Sequence, residues 1–80
     1  MLTLYIRAAM RQAHYEMIED ENPYFGSIPA CQGVWATGKT LEECREELES
    51  ALEDWIVFSL SEQLALPVID GIDLAVKKVA

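Results

Sequence analysis

Positive charge is scarce in this chain. Six lysines and arginines stand against fourteen acids in 80 residues, a net charge of −8 with the one histidine neutral. Sequence-independent binding to nucleic acid needs a Lys/Arg surface, so the balance argues against it and favours a basic partner or plain solubility. Cysteine is limited to Cys31 and Cys44, with no Cys-x-x-Cys and no histidine beside either. Ligand sets of the zinc type are therefore missing, and both residues are expected to be buried thiols in a reducing cytoplasm. No apolar run approaches the ~20 residues of a membrane span. The opening MLTLYIRAAMRQA lacks a secretory h-region and a cleavage signature. There is no internal repeat and no low-complexity tract.

What the chain has in quantity is apolar surface. The hydrophobic fraction is 51%, near the top of the usual range. Eighty residues make one domain, 1–80, and a domain of this size buries only about 60% of its unfolded surface. The surplus predicts that the core continues into a second copy, as a homodimer or homotetramer.

The organising stretch runs from Thr40 to about Leu64. Thr40 is placed to cap a helix and Glu43 to reach back to it, a capping box with Gly38 marking the end of what precedes. Leu41, Cys44, Leu48, Leu52, Trp55 and Ser59 recur at helical spacing, with Ala51 on the same face. The other face carries Glu42, Glu43, Glu46, Glu47, Glu49, Glu53 and Asp54 against Arg45 alone. Ile56, Val57, Phe58 and Leu60 make the far end apolar nearly all round and are the expected oligomer interface. Leu66-Pro67 is the expected stop. A length of roughly 25 residues, or ~37 Å, follows.

Before it, Leu2, Tyr5, Ile6, Ala9, Met10 and Ala13 fall on one face of an N-terminal amphipathic helix, with Arg7, Arg11 and Gln12 on the other. The structural reading is packing on the sheet or on a second subunit; the functional one is a small basic handle for nucleic acid. His14–Glu19 alternates as a strand, with Tyr15 and Met17 on one side and Glu16 and Ile18 on the other. Asp20-Glu21-Asn22-Pro23 is a turn. Tyr24–Pro29 is the second strand of an antiparallel hairpin, where Gly26 predicts close approach of a neighbouring backbone. Pro29–Gly33 is a loop and Val34–Thr37 a third short strand. After Pro67, Asp70-Gly71 signals a turn, and Ile72–Val79 reads as a last strand or extended tail. A strand in that place is expected parallel to the first, by a right-handed crossover. The fold class is α+β: a small three- to four-stranded sheet in the order β-β-β-α-β, a long helix across it and an extra helix in front.

Tyr24-Phe25-Gly26-Ser27-Ile28-Pro29, then Gly33, then Ala36-Thr37-Gly38-Lys39-Thr40-Leu41-Glu42-Glu43-Cys44 resembles the signature of the HicB-like antitoxin family. Leu48, Leu52, Glu53, Trp55 and the exit Leu66-Pro67-Val68 fit it as well. The resemblance spans roughly Tyr15 to Leu74. It implies a partly degenerate RNase H-like layer and a partner of the HicA type, a small basic RNA-cleaving toxin whose active site is blocked by protein–protein contact. Many members add a C-terminal DNA-binding segment. Ile69–Ala80 is too short for a helix-turn-helix, so direct operator binding is not expected.

An RNase H-like layer invites a search for carboxylates that would hold Mg²⁺, and Glu16, Glu19, Glu43, Glu47, Asp70 and Asp73 are the candidates. Asp70 belongs to a turn and the helical acids read as a solvated face, so no catalytic residue and no metal is assigned. His14 has no nucleophile or acid at a telling spacing and reads as a cap or packing residue. Gly33 to Gly38-Lys39-Thr40 matches the spacing of a phosphate-binding loop, but strand end and helix cap already account for those residues. No cofactor is expected. The reading is a cytoplasmic, non-enzymatic antitoxin-like module. Tyr24, Phe25, Gln32 and Trp35 would supply contact area, and Glu42, Glu46, Glu49 and Glu53 would steer the encounter. The rivals are a stand-alone structural or regulatory homo-oligomer and a Mg²⁺-dependent nuclease.

Overall fold

Five elements follow one another in the computed structural model, which describes residues 1–74: α1 (Leu2–Arg11), β1 (His14–Met17), β2 (Tyr24–Ser27), β3 (Trp35–Gly38) and α2 (Leu41–Ser61). The three strands form one antiparallel sheet in the order β1-β2-β3. The architecture is α+β, with the extra helix first, as the periodicities predict.

The hairpin turn closes where Ile18 N–H donates to the Pro23 carbonyl at 2.7 Å. The Asp20 carboxylate takes the Glu21 N–H at 2.7 Å, the self-capping role that favours Asp in turns. Tyr15 stands opposite Gly26, and Gly26 opposite Ala36. Gly26, Ala36 and Gly38 are buried under α2, because a row of residues with little or no side chain lets the helix come down close on the sheet. The Cys44 thiol donates to the Ala36 carbonyl at 3.6 Å. Side chains alternate along a strand, so Phe25, Trp35 and Thr37 lie on the face away from α2.

The capping prediction holds at Thr40, whose hydroxyl accepts the Glu43 N–H at 3.0 Å. Cys44, Leu48, Leu52, Ile56 and Ser59 form the buried stripe of α2. Together with Tyr5, Ala8 and Ala9 of α1 and with Ile28, Val34 and Ile69 they make the core. The helix α2 lies over β3 and β2, with α1 beside it; all four residues of β1 are exposed.

Several expectations are corrected. The helix ends at Ser61 and is 21 residues long, about 31 Å, well before Pro67. Gln63 takes a positive φ of 56°. Leu64 N–H then bonds to the Ser59 carbonyl at 2.8 Å and Gln63 N–H to Leu60 at 3.2 Å, the paired bonds of a Schellman ending. The stop is thus a backbone motif rather than the proline. In α1 the buried side includes Ala8, while Leu2 is exposed; small residues allow the two helices to pack closely.

The third strand starts at Trp35 rather than Val34. Val34 N–H is taken up in the loop turn, bonded to Cys31 at 3.1 Å. The backbone approach expected at Gly26 occurs instead at Gly38, where a Cβ would lie 2.5 Å from the Cys44 nitrogen. At Gly26 the neighbours are side chains, the Tyr15 ring at 3.0 Å and the Cys44 sulfur at 3.2 Å.

The described part of the last predicted strand does not join the sheet. Among the described residues Ile72 pairs only with Ile69, across a tight turn in which Asp70 and Gly71 both have positive φ. Residues 75–79 of that prediction lie outside the described residues. Among the described residues β1 has no parallel neighbour.

Candidate functional site

Alternation and register together build one open surface. His14 and Glu16 of β1 stand opposite Ser27 and Phe25 of β2, and these stand opposite Trp35 and Thr37 of β3. All six share the face turned from α2. Among the described residues no element packs over it.

Phe25 and Trp35 are diagonal neighbours across the β2–β3 pair, within reach for large rings. Their centroids are 6.0 Å apart with planes 20° from parallel, an offset stack that fixes both rings. Trp35 nonetheless keeps 58% of its surface exposed. A bound partner is the kind of thing that covers a rigid exposed tryptophan. Next to the stack, on the β1 side, lies a notch of about 300 Å³ lined by His14, Tyr15, Glu16, Phe25, Ser27 and Pro29.

The residues expected to meet the partner therefore divide. Phe25 and Trp35 come together. Gln32 is exposed in the Pro29–Gly33 loop, which Gly33 bends with a φ of 92°. Tyr24 is half-buried and points to the other face, one residue out of phase with Phe25. Glu42, Glu46, Glu49 and Glu53 are exposed on α2, in the layer behind the sheet, so they share no surface with the aromatic pair. Of the expected oligomer residues, Val57, Phe58 and Leu60 are exposed, at 66%, 56% and 37%. Ile56 is not available: it is 1% exposed and packs in the chain's own core. A helix that looks apolar all round still has one stripe facing inward, and Ile56 continues the stripe of Leu48 and Leu52.

The carboxylates do not converge. Among the described residues no group of three His, Cys, Asp or Glu side chains is close enough to hold a metal ion. Asp70 faces Arg11 at 3.5 Å and Gln12 at 3.4 Å, binding the segment after α2 to the end of α1. Gly33 and Gly38-Lys39-Thr40 are separated by β3, an extended strand paired to β2, so their backbone forms no phosphate cradle. Cys31 and Cys44 are free and buried. Burial pushes both thiols above their ordinary range, the opposite of what a nucleophilic thiolate needs.

The sequence reading missed the partnership of His14 and Glu16 with Phe25. The signal was present: Phe25-x-Ser27 and Trp35-x-Thr37 alternate with the small residues Gly26 and Ala36, which marks the large ones as facing away from the helix. Among the described residues no helix is long and apolar enough to cross a membrane.

The fold and this face define a small α+β module whose sheet, among the described residues, is covered by a helix on one side only. A family profile described as UPF0150-like matches residues 4–67, and the chain belongs to that family. It is similar to the crystal structure of TTHA0281 from Thermus thermophilus, with 47% identity, 96% of this chain and 95% of that one covered, and a TM-score of 0.91. No curated protein matches the chain.

Proposed function

We propose that this protein is a HicB-like antitoxin module, without enzymatic activity, that neutralises a small basic HicA-type toxin in the cytoplasm by covering its RNA-cleaving site. The observation that carries the reading is the Phe25–Trp35 stack, with Trp35 58% exposed, on a sheet face over which no helix packs among the described residues. The kind of partner comes from the resemblance of the motif run from Tyr24 to Cys44 to HicB-like antitoxins. The same resemblance underlies reading the β-β-β-α order as a degenerate RNase H-like layer.

The two binding features act at different stages. The net charge of −8, much of it on α2, accelerates encounter with a basic protein and is sensitive to salt. The outer sheet face then supplies contact area and slow dissociation. The test is genetic and direct. The neighbouring gene should encode a short basic protein that arrests growth when expressed alone. Co-expression with this chain should restore growth, and Trp35→Ala should abolish the rescue while the chain stays folded. A neighbour that is neither basic nor toxic overturns the reading.

A second reading has its own observation. Val57 and Phe58 are exposed on the C-terminal part of α2, a position that suits a stand-alone homo-oligomer with no toxin partner. Light scattering tests the second reading: a monomer at micromolar concentration rejects the oligomer.

A further inference from the structure

The geometry points to the notch between β1 and Phe25 as a receptor for one guanidinium group, an arginine side chain that a basic protein partner presents to the outer sheet face. The inference rests on the antitoxin reading for the kind of partner. It rests on the notch itself for the chemistry.

Three features select the occupant. The first is charge. Glu16 lines the notch and no lysine or arginine does, so a cation entering it meets an acid and no competing positive side chain. The second is the aromatic wall. Phe25 lines the same notch and is held by Trp35 behind it at 6.0 Å. A planar delocalised cation stacks on such a ring, whereas an ammonium is more strongly hydrated and lacks the flat face. The third is the supply of acceptors. Glu16, opposite Phe25 in the register, offers two carboxylate oxygens to the forked N–H groups of arginine. The Ser27 hydroxyl, directly opposite His14 in the register, lines the wall with it and takes a further N–H group. A notch of about 300 Å³ is at the small end for a drug-sized ligand but adequate for one side chain. The occupant is thus a single arginine, and Glu16, Phe25 and Ser27 are its recognition residues.

The test uses the full chain labelled with ¹⁵N and three end-blocked tripeptides, Gly-Arg-Gly, Gly-Lys-Gly and Gly-citrulline-Gly. Citrulline keeps the shape of arginine and removes its charge. Addition of the arginine peptide is expected to shift the amides of His14, Glu16 and Ser27 and the indole N–H of Trp35. The lysine peptide should bind several-fold more weakly and the citrulline peptide should leave the spectrum unchanged. Glu16→Gln, a substitution at an exposed position, should weaken the arginine peptide about tenfold, the loss of a charge-assisted hydrogen bond. Phe25→Leu should weaken it also and narrow the gap between arginine and lysine. Unchanged affinity in Glu16→Gln, equal binding of citrulline, or shifts confined to the acids of α2 each overturn the assignment. The outcomes also separate from those of the antitoxin reading. An arginine peptide seated in the notch of a chain that rescues no toxin upholds the notch and sinks the antitoxin. Rescue that is indifferent to Glu16→Gln, with no peptide bound, does the reverse.

Discussion

Gly38 sits against the backbone of Cys44 so closely that a Cβ on it would lie 2.5 Å from the Cys44 nitrogen and 2.8 Å from its Cα. The last residue of β3 and the first turn of α2 are in contact through bare main chain. Alanine at 38 must push the helix off the sheet, since neither contacting atom belongs to a side chain that could swing aside. Gly38→Ala is expected to lower the unfolding free energy by about 1–3 kcal/mol, in the range of overpacked cores. Urea denaturation checks this: the midpoint should fall with the slope unchanged, and a wild-type midpoint would refute the close packing.

Tyr5 gives a pH dependence. Its hydroxyl donates to the Pro67 carbonyl at 2.8 Å, and burial, followed by the nearby Cys31 thiol, pushes its pKa up from 10.0 to about 12. A raised folded pKa means that the folded state holds the proton more tightly. The contribution is complete below pH 10 and disappears as pH rises towards 12. Tyr5→Phe should therefore be less stable than wild type by roughly 0.5–1.5 kcal/mol at neutral pH, the value of one hydrogen bond. The gap between the two should narrow through that alkaline window. Thermal melts at pH 7 and pH 11 measure it, and a gap that does not change with pH counts against the assignment.

Gln63 holds a left-handed backbone, φ 56°, in order to complete the Schellman bonds at the end of α2. Glycine adopts that conformation without the Cβ penalty. Gln63→Gly should raise stability by about 0.5–1 kcal/mol, seen as a higher melting temperature. A loss of stability would show that the helix ends in another way.

Ile56 and Phe58 are two residues apart on α2 and should behave in opposite fashion. Ile56→Ala removes a side chain that is 1% exposed and should cost about 2–5 kcal/mol. Phe58→Asp alters a side chain that is largely solvated and should change folding by no more than about 0.5 kcal/mol. If the chain self-associates through this end, sedimentation velocity should show the assembly lost in Phe58→Asp and kept in wild type.

Much of the layout is visible in the letters because it depends on local chemistry. Thr40 with Glu43 announces the start of α2, Asp20 to Pro23 announces the hairpin turn, and the spacing of Cys44, Leu48 and Leu52 gives the buried stripe. What escapes is set at a distance. Whether Ile56 or Phe58 faces inward depends on which neighbours α2 meets, and the unbroken apolar run from Trp55 to Phe58 leaves the phase undecided. Gln63 carries no glycine-like signal, so the end of the helix reads a few residues late. The site suffers most. Tyr24 and Phe25 are adjacent in the chain and read as one aromatic pair, yet a strand sends them to opposite faces. Glu16 joins Phe25 only through the pairing register, which no single strand encodes.

One consequence of the Tyr5 bond to Pro67 concerns the order of events during synthesis. The two groups are 62 positions apart. The helix that carries Tyr5 is made before its partner and must wait for some 62 further residues before the tyrosine finds a carbonyl to rest on. At translation speeds of about 5–20 residues per second that is an interval of seconds, during which its greasy stripe is wet. Nascent chains cut short before residue 67 lack this latch and should be early prey for proteases.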